Sequence, residues 1–141
     1  MEEIIDKIAE LLEMDERVFL HQKTQEILSY PDPTRQEVWE LDYLIDEVDQ
    51  KVLADLDAYL QFDPPTSKQA YELMEAFADS ILVERSRERL FDALSSKKPF
   101  RHFKDALIGL EIENEWYDFR FLSMKERVFD RLERTNSADT A

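Results

Sequence analysis

Apolar residues recur at spacings of three and four in the opening stretch: Ile4, Ile5, Ile8, Leu11 and Leu12, with Asp and Glu between them. That spacing places them on one face of a helix. It predicts an amphipathic helix over Glu2–Met14 whose stripe belongs to a core. The period then changes. Val18, Leu20, Ile27 and Ser29 sit among Val, Phe, Ile and Tyr, which are good strand formers. A β-hairpin follows as the expectation, with strands near 17–22 and 26–30 joined by Lys23-Thr24-Gln25. The connection lacks Asn-Gly or Asp-Gly, which leaves its turn type open.

Pro31-Asp32-Pro33 ends the second strand, and Thr34-Arg35-Gln36-Glu37 has the spacing of a helix-capping box. Val38, Leu41, Ile45, Val48 and Val52, widened by Trp39, Leu44 and Leu53, predict a helix ending near Asp55. Only about two heptads are clean, so packing on the hairpin is favoured over a coiled-coil seam. Tyr59-Leu60-Gln61-Phe62 stands before Asp63-Pro64-Pro65. It is read as a third strand, because a lone hairpin is marginally stable; a last helical turn is the alternative.

Thr66-Ser67-Lys68-Gln69 is a second capping-box match, and Tyr71, Met74, Phe77 and Ile81 continue it as a helical stripe. Leu90, Phe91 and Leu94 mark another helical stretch over 84–94; the pattern leaves open whether a turn near Val83 separates the two. After the polar Ser95–Lys98, Pro99 suits a first helical turn, where its missing amide proton costs nothing. Phe100, Phe103, Leu107 and Leu110 form the face of that helix, and Gly109 reads as its stop. A final helical region spans about 113–133, with a break expected at Ser123, where Ser123-Met124-Lys125-Glu126 is a third capping-box match.

The fold class is therefore α+β: a mostly helical single domain over 1–135, with a small antiparallel sheet of two or three strands and a C-terminal helical bundle. Residues 136–141 read as a flexible tail. At 141 residues the chain is long enough to bury a core.

Charge adds a division that hydropathy does not show. Residues 1–79 hold 21 Asp and Glu against 6 Lys and Arg, a balance of −15, whereas 80–141 hold 12 of each. The overall field disfavours nucleic acid and anionic lipid. Within the second part, 85–105 carries Arg85, Arg87, Arg89, Lys97, Lys98, Arg101 and Lys104 against Glu88, Asp92 and Asp105, a local balance of +4. The favoured reading pairs these cations with the acidic first part of the same chain. An acidic protein partner, or the acidic half of a second copy in a homo-oligomer, is the next. A nucleic acid whose bases stack on Phe100, Trp116 or Tyr117 comes after that.

Catalytic chemistry has little to stand on. The chain has no cysteine, hence no thiol nucleophile and no thiolate metal site. Phosphate-loop, G-x-S-x-G and H-E-x-x-H patterns are absent. Only His21 and His102 are present, and Asp49, Asp55 and Asp57 lack the glycine and distal Glu of a calcium loop. No metal or cofactor is expected. His102, Asp105, Glu115 and Asp118 are the acid–base candidates, but carboxylates at such spacing are common on solvated helix faces. Met1-Glu2-Glu3 is unlike the basic start of a secretory signal, and no window nears the roughly 18 apolar residues of a membrane span. A cytoplasmic location is expected.

Phe100-Arg101-x-Phe103-Lys104-Asp105-x-Leu107, followed by Trp116-Tyr117-x-Phe119-Arg120, resembles the C-terminal signature of the bacterial uncharacterised protein family 0158. Tyr59-Leu60-x-Phe62-x-Pro64-Pro65, Ala70-Tyr71-x-Leu73-Met74-x-x-Phe77 and Val18-Phe19-Leu20 through Glu26-Ile27 are similar in kind and order. The resemblance covers about 16–133. It departs at Thr24-Gln25, where the family's hairpin usually has a glycine, and in the length of the helix over 34–55. It implies a cytoplasmic bacterial protein and no established activity, cofactor or catalytic residue. The expected function is a non-enzymatic interaction or binding protein, with nucleic-acid association through 85–104, or acid–base chemistry near Asp105, as alternatives. The residues singled out for binding are Arg101, Lys104, Asp105, Trp116, Tyr117 and Arg120. Phe100, Phe103, Trp116 and Phe119 are expected to clasp the last two helices together.

Overall fold

The computed structural model describes residues 1–34 and 42–140, with side chains through Thr135. Its order is α1 (Glu2–Glu13), β1 (Glu16–His21), β2 (Ile27–Pro31), α2 (Asp42–Ala54), a single 3-10 turn at Leu56–Ala58, β3 (Tyr59–Phe62), α3 (Ser67–Ser80), α4 (Glu84–Leu94), α5 (Pro99–Leu110) and α6 (Glu113–Thr140). The fold is α+β, mostly helical, with one small antiparallel sheet. The capping box proposed at Thr34–Glu37, together with Val38, Trp39 and Leu41, lies outside the described residues except for Thr34. Contacts group the chain into two compact units, Met1–Pro64 with Ser123–Ala141, and Pro65–Leu122.

In the first unit the three strands run in the order β2-β1-β3, both pairings antiparallel. The stretch at 59–62 is the third strand: Val18 pairs with Phe62 and Leu20 with Leu60. Central β1 buries three consecutive residues, Val18, Phe19 and Leu20. Successive side chains point to opposite faces, so both faces of this strand are covered. Phe19 and Tyr30 pack with Val48 and Val52 of α2, which places that helix on one face as expected. Val18 and Leu20 face the other way with Phe62.

The hairpin turn is built around His21. Its Nδ1 accepts from the backbone N–H groups of Lys23 (3.2 Å) and Thr24 (3.1 Å), while Nε2 meets Asp55 Oδ2 at 3.0 Å. Two donors on Nδ1 leave the ring proton on Nε2, where it donates to Asp55. Gln25 takes the left-handed conformation, φ 66°, that a glycine would fill more easily. The imidazole thus holds a turn that has no favoured turn dipeptide.

The second unit is helical. The Thr66 box forms in full: Gln69 N donates to Thr66 Oγ1 (3.1 Å), and Thr66 N donates to Gln69 Oε1 (2.9 Å). Residues 81–83 do separate α3 from α4. Two expectations are corrected. Gly109 lies inside α5 and does not end it; the stop is Glu111, which takes φ 60° and ψ 38°. Gly109 instead makes room. A β-carbon there would stand 2.7 Å from Arg89 Nη2, so the missing side chain lets the Arg89 guanidinium lie against α5. The break at Ser123 is also absent, and α6 continues to Thr140. Met124 and Val128 just beyond it are buried, so ending the helix there would pull both from a packed face.

Candidate functional site

The signature region divides by depth. In the second unit Phe77, Phe103, Trp116 and Phe119 form one ring cluster. Trp116 stands 5.3 Å from Phe77 and 5.2 Å from Phe103, both edge-on, and Phe77 meets Phe119 at 5.3 Å. Edge-to-face pairs at these separations are favourable beyond their burial. Phe103 and Trp116 are almost fully buried, with Ala106, Leu107, Leu90 and Leu94 around them. The clasp of α5 on α6 is real, with one correction. Phe100 is not part of it: its ring is 43% exposed, and no ring contact involves it among the described residues. Phe103, a turn further along, is where α5 meets the rings of α3 and α6. Trp116, named both for the clasp and for binding, is buried in this cluster.

What remains outside is charged. Arg101, Lys104 and Asp105 are exposed on α5. Tyr117 is exposed on α6, and the Arg120 guanidinium lies over its ring at 5.4 Å. Of the six residues singled out, Arg101, Lys104, Asp105 and Tyr117 are exposed, Arg120 is half-buried and Trp116 is buried. Glu115 and Asp118 are exposed too. His102 is exposed, and its Nδ1 is bound to Ser96 Oγ at 2.6 Å. None of these groups is withdrawn from water in the way that sets two carboxylates to different acid–base tasks.

The basic strip is only partly committed. Arg87 donates to the Ile81 carbonyl at 3.0 Å, and Arg89 fills the space at Gly109. Arg85, Lys97, Lys98, Arg101 and Lys104 are exposed. Among the described residues, no ion pair or side-chain hydrogen bond holds them.

The first unit has a second cationic place that the sequence pattern did not single out. A cavity of about 500 Å³ is lined by Leu12, Gln61, Phe62, Asp63, Arg127, Arg131 and Arg134. Burial pushes the Arg127 guanidinium below its ordinary value, with the nearby Asp63 carboxylate opposing. Arg131 lies over the Phe62 ring at 5.5 Å. The available signal was the spacing of four and three on one helix, 127, 131 and 134, and it had no meaning until Phe62 was placed opposite.

Possible metal ligands are otherwise engaged. Asp49 accepts the Tyr30 hydroxyl at 2.8 Å and Asp55 binds His21. Among the described residues, no group of three His, Asp or Glu side chains is arranged to hold a metal ion. Among them, too, no helix is long and apolar enough to cross a membrane.

Comparison with known proteins agrees with the resemblance. The model of the uncharacterised protein family UPF0158 matches residues 1–140. The UPF0158 protein PA5073 of Pseudomonas aeruginosa is 30% identical over 104 residues, which is 73% of this chain and 60% of that protein. The matched stretch thus spans 60% of that relative's length. No solved structure matches.

Proposed function

Because the chain belongs to the uncharacterised protein family UPF0158, which carries no activity to inherit, we propose from its surface that it is a non-enzymatic binding protein of the bacterial cytoplasm. Arg85, Lys97, Lys98, Arg101 and Lys104 dock an acidic segment of a partner protein. The observation that carries this reading is that these five cations are exposed and have no internal ion pair among the described residues. Such a cluster steers an acidic partner and sets its register.

The same surface gives less support to nucleic acid. Single-strand binding combines cations with aromatic faces on which bases stack. Of the candidate stacking faces, Trp116 is buried and Arg120 already lies over Tyr117, which leaves Phe100 exposed beside the strip. The overall charge of −15 adds repulsion from any polyphosphate.

The test is fluorescence anisotropy of a labelled poly-glutamate peptide and a labelled single-stranded oligonucleotide at low salt, with the wild type and a K98E/R101E/K104E variant. Binding of the peptide that the triple variant loses is the expected result. Peptide binding that survives the variant, or none at all, sinks the proposal, and tighter binding of the oligonucleotide replaces it with the nucleic-acid reading. Sedimentation of the protein alone shows whether the acidic part of a second copy serves as the partner.

A further inference from the structure

We propose that the cavity between β3 and the C-terminal part of α6 binds the oxyanion group of a small organic dianion, a phosphomonoester or a polycarboxylate, with Arg131 and Arg134 as its principal donors and Arg127 as the third wall. This site lies in the first unit and is independent of the α4–α5 surface.

The geometry begins with the helix. At 3.6 residues per turn, positions 127, 131 and 134 fall within an arc of roughly 60°. Three guanidiniums on so narrow an arc repel one another unless something anionic faces them. Asp63 is the carboxylate lining the cavity, and it is already engaged. Its Oδ1 accepts from Arg17 Nε at 2.9 Å, and both of its oxygens accept from the Gln61 amide at 3.1 Å. Asp63 is thus already bound by Arg17 and Gln61, while the three arginines of α6 line the cavity beside it.

The arginines are also pre-aimed. The Arg131 guanidinium lies over the Phe62 ring, and its Nε is buried with no hydrogen-bond partner among the described residues. Arg134 spends Nε on the Asp130 carbonyl at 3.4 Å, which leaves its two terminal nitrogens for a ligand. Planar guanidinium forks of this kind match carboxylate and phosphate oxygens two at a time. The volume of about 500 Å³ exceeds what a lone inorganic ion needs and lies in the range of roughly 300–1,000 Å³ usual for small-molecule clefts. Leu12 and the Phe62 ring supply an apolar wall for the carbon part of the ligand.

Titration calorimetry of the full chain with ribose 5-phosphate and with citrate, each against sodium chloride at equal ionic strength, tests the site and separates the two sources of oxyanion. Saturable binding of one or both, weakened about tenfold or more in R131Q, is the expected result, since each guanidinium–oxyanion bond is charge-assisted. R134Q repeats the test at an exposed position where folding is not at stake. The K98E/R101E/K104E variant retains full binding if the two sites are separate. No saturable heat with either anion, or undiminished binding in both R131Q and R134Q, overturns the proposal.

Discussion

Arg89 occupies the space that a side chain on Gly109 would need, its Nη2 standing 2.7 Å from the site of the missing β-carbon. The obstructing atom is the free end of a flexible side chain, so it can move. Alanine in a helix interior is more favourable than glycine by up to about 1 kcal/mol, and less in a last turn such as that of Gly109. Gly109→Ala is therefore expected to be neutral or to stabilise by up to about 1 kcal/mol in urea titrations. A true helix stop at 109 would give clear destabilisation instead. Glu111→Gly, at the left-handed residue that does end α5, is expected to raise stability by up to about 1 kcal/mol.

Phe103 and Phe100 share one helix face but not one fate. Phe103 is 1% exposed within the ring cluster, and Phe103→Ala should cost about 3–5 kcal/mol and much of the near-ultraviolet circular dichroism. Phe100→Ala should cost less than about 1 kcal/mol, because its ring already meets solvent. Equal losses in the two variants would contradict this division.

The Thr66 capping box predicts a local effect at the start of α3. Thr66→Ala removes the acceptor for Gln69 N and should cost about 1 kcal/mol, whereas Thr66→Ser should cost little. Amide exchange in the first turn of α3 should quicken in the alanine variant alone.

Two groups in the first unit contribute to the pH dependence with opposite signs. Burial, aided by the Asp49 carboxylate that accepts its hydroxyl, pushes the Tyr30 phenol above its ordinary 10.0. A raised folded value gives stability that is complete below 10.0 and declines as pH rises through the folded value. Tyr30→Phe should flatten that alkaline decline while costing about 1 kcal/mol at neutral pH for the lost hydrogen bond. At the other end, the hydrogen bond from Lys51 holds the exposed Glu26 carboxyl below its ordinary 4.5. Its contribution is present above 4.5 and fades as pH falls through the depressed value, so Glu26→Gln should lose a small part of the acid limb. Denaturant titrations on both sides of these values check the signs.

The elements with local signals could be read directly. The third strand followed from Pro64-Pro65 and the need of a hairpin for a partner, and the Thr66 helix start followed from its cap. The clasp of Phe103, Trp116 and Phe119 followed from spacing. The errors came where one local sign had two physical uses. Glycine can end a helix or admit a neighbour, and at 109 Arg89 decides. Ser123 has the spacing of a cap, but the burial of Met124 and Val128 carries the helix through. The arginine cavity was illegible because its walls come from Leu12, residues 61–63 and residues 127–134, which meet only in three dimensions. The His21 device was equally hidden, since Asp55 lies far along the chain.

Among the described residues, three backbone corners are left-handed, at Asp15, Gln25 and Glu111, and the single glycine is at none of them. Each corner costs on the order of 1 kcal/mol that glycine would spare. Glycine, however, also frees the unfolded chain, which then loses more entropy on folding. A chain almost without glycine has a stiffer denatured state, so ordering it costs less across its whole length. The strain at three corners is thus the local counterpart of an ensemble-wide saving, and the gain from Glu111→Gly is the difference between the two.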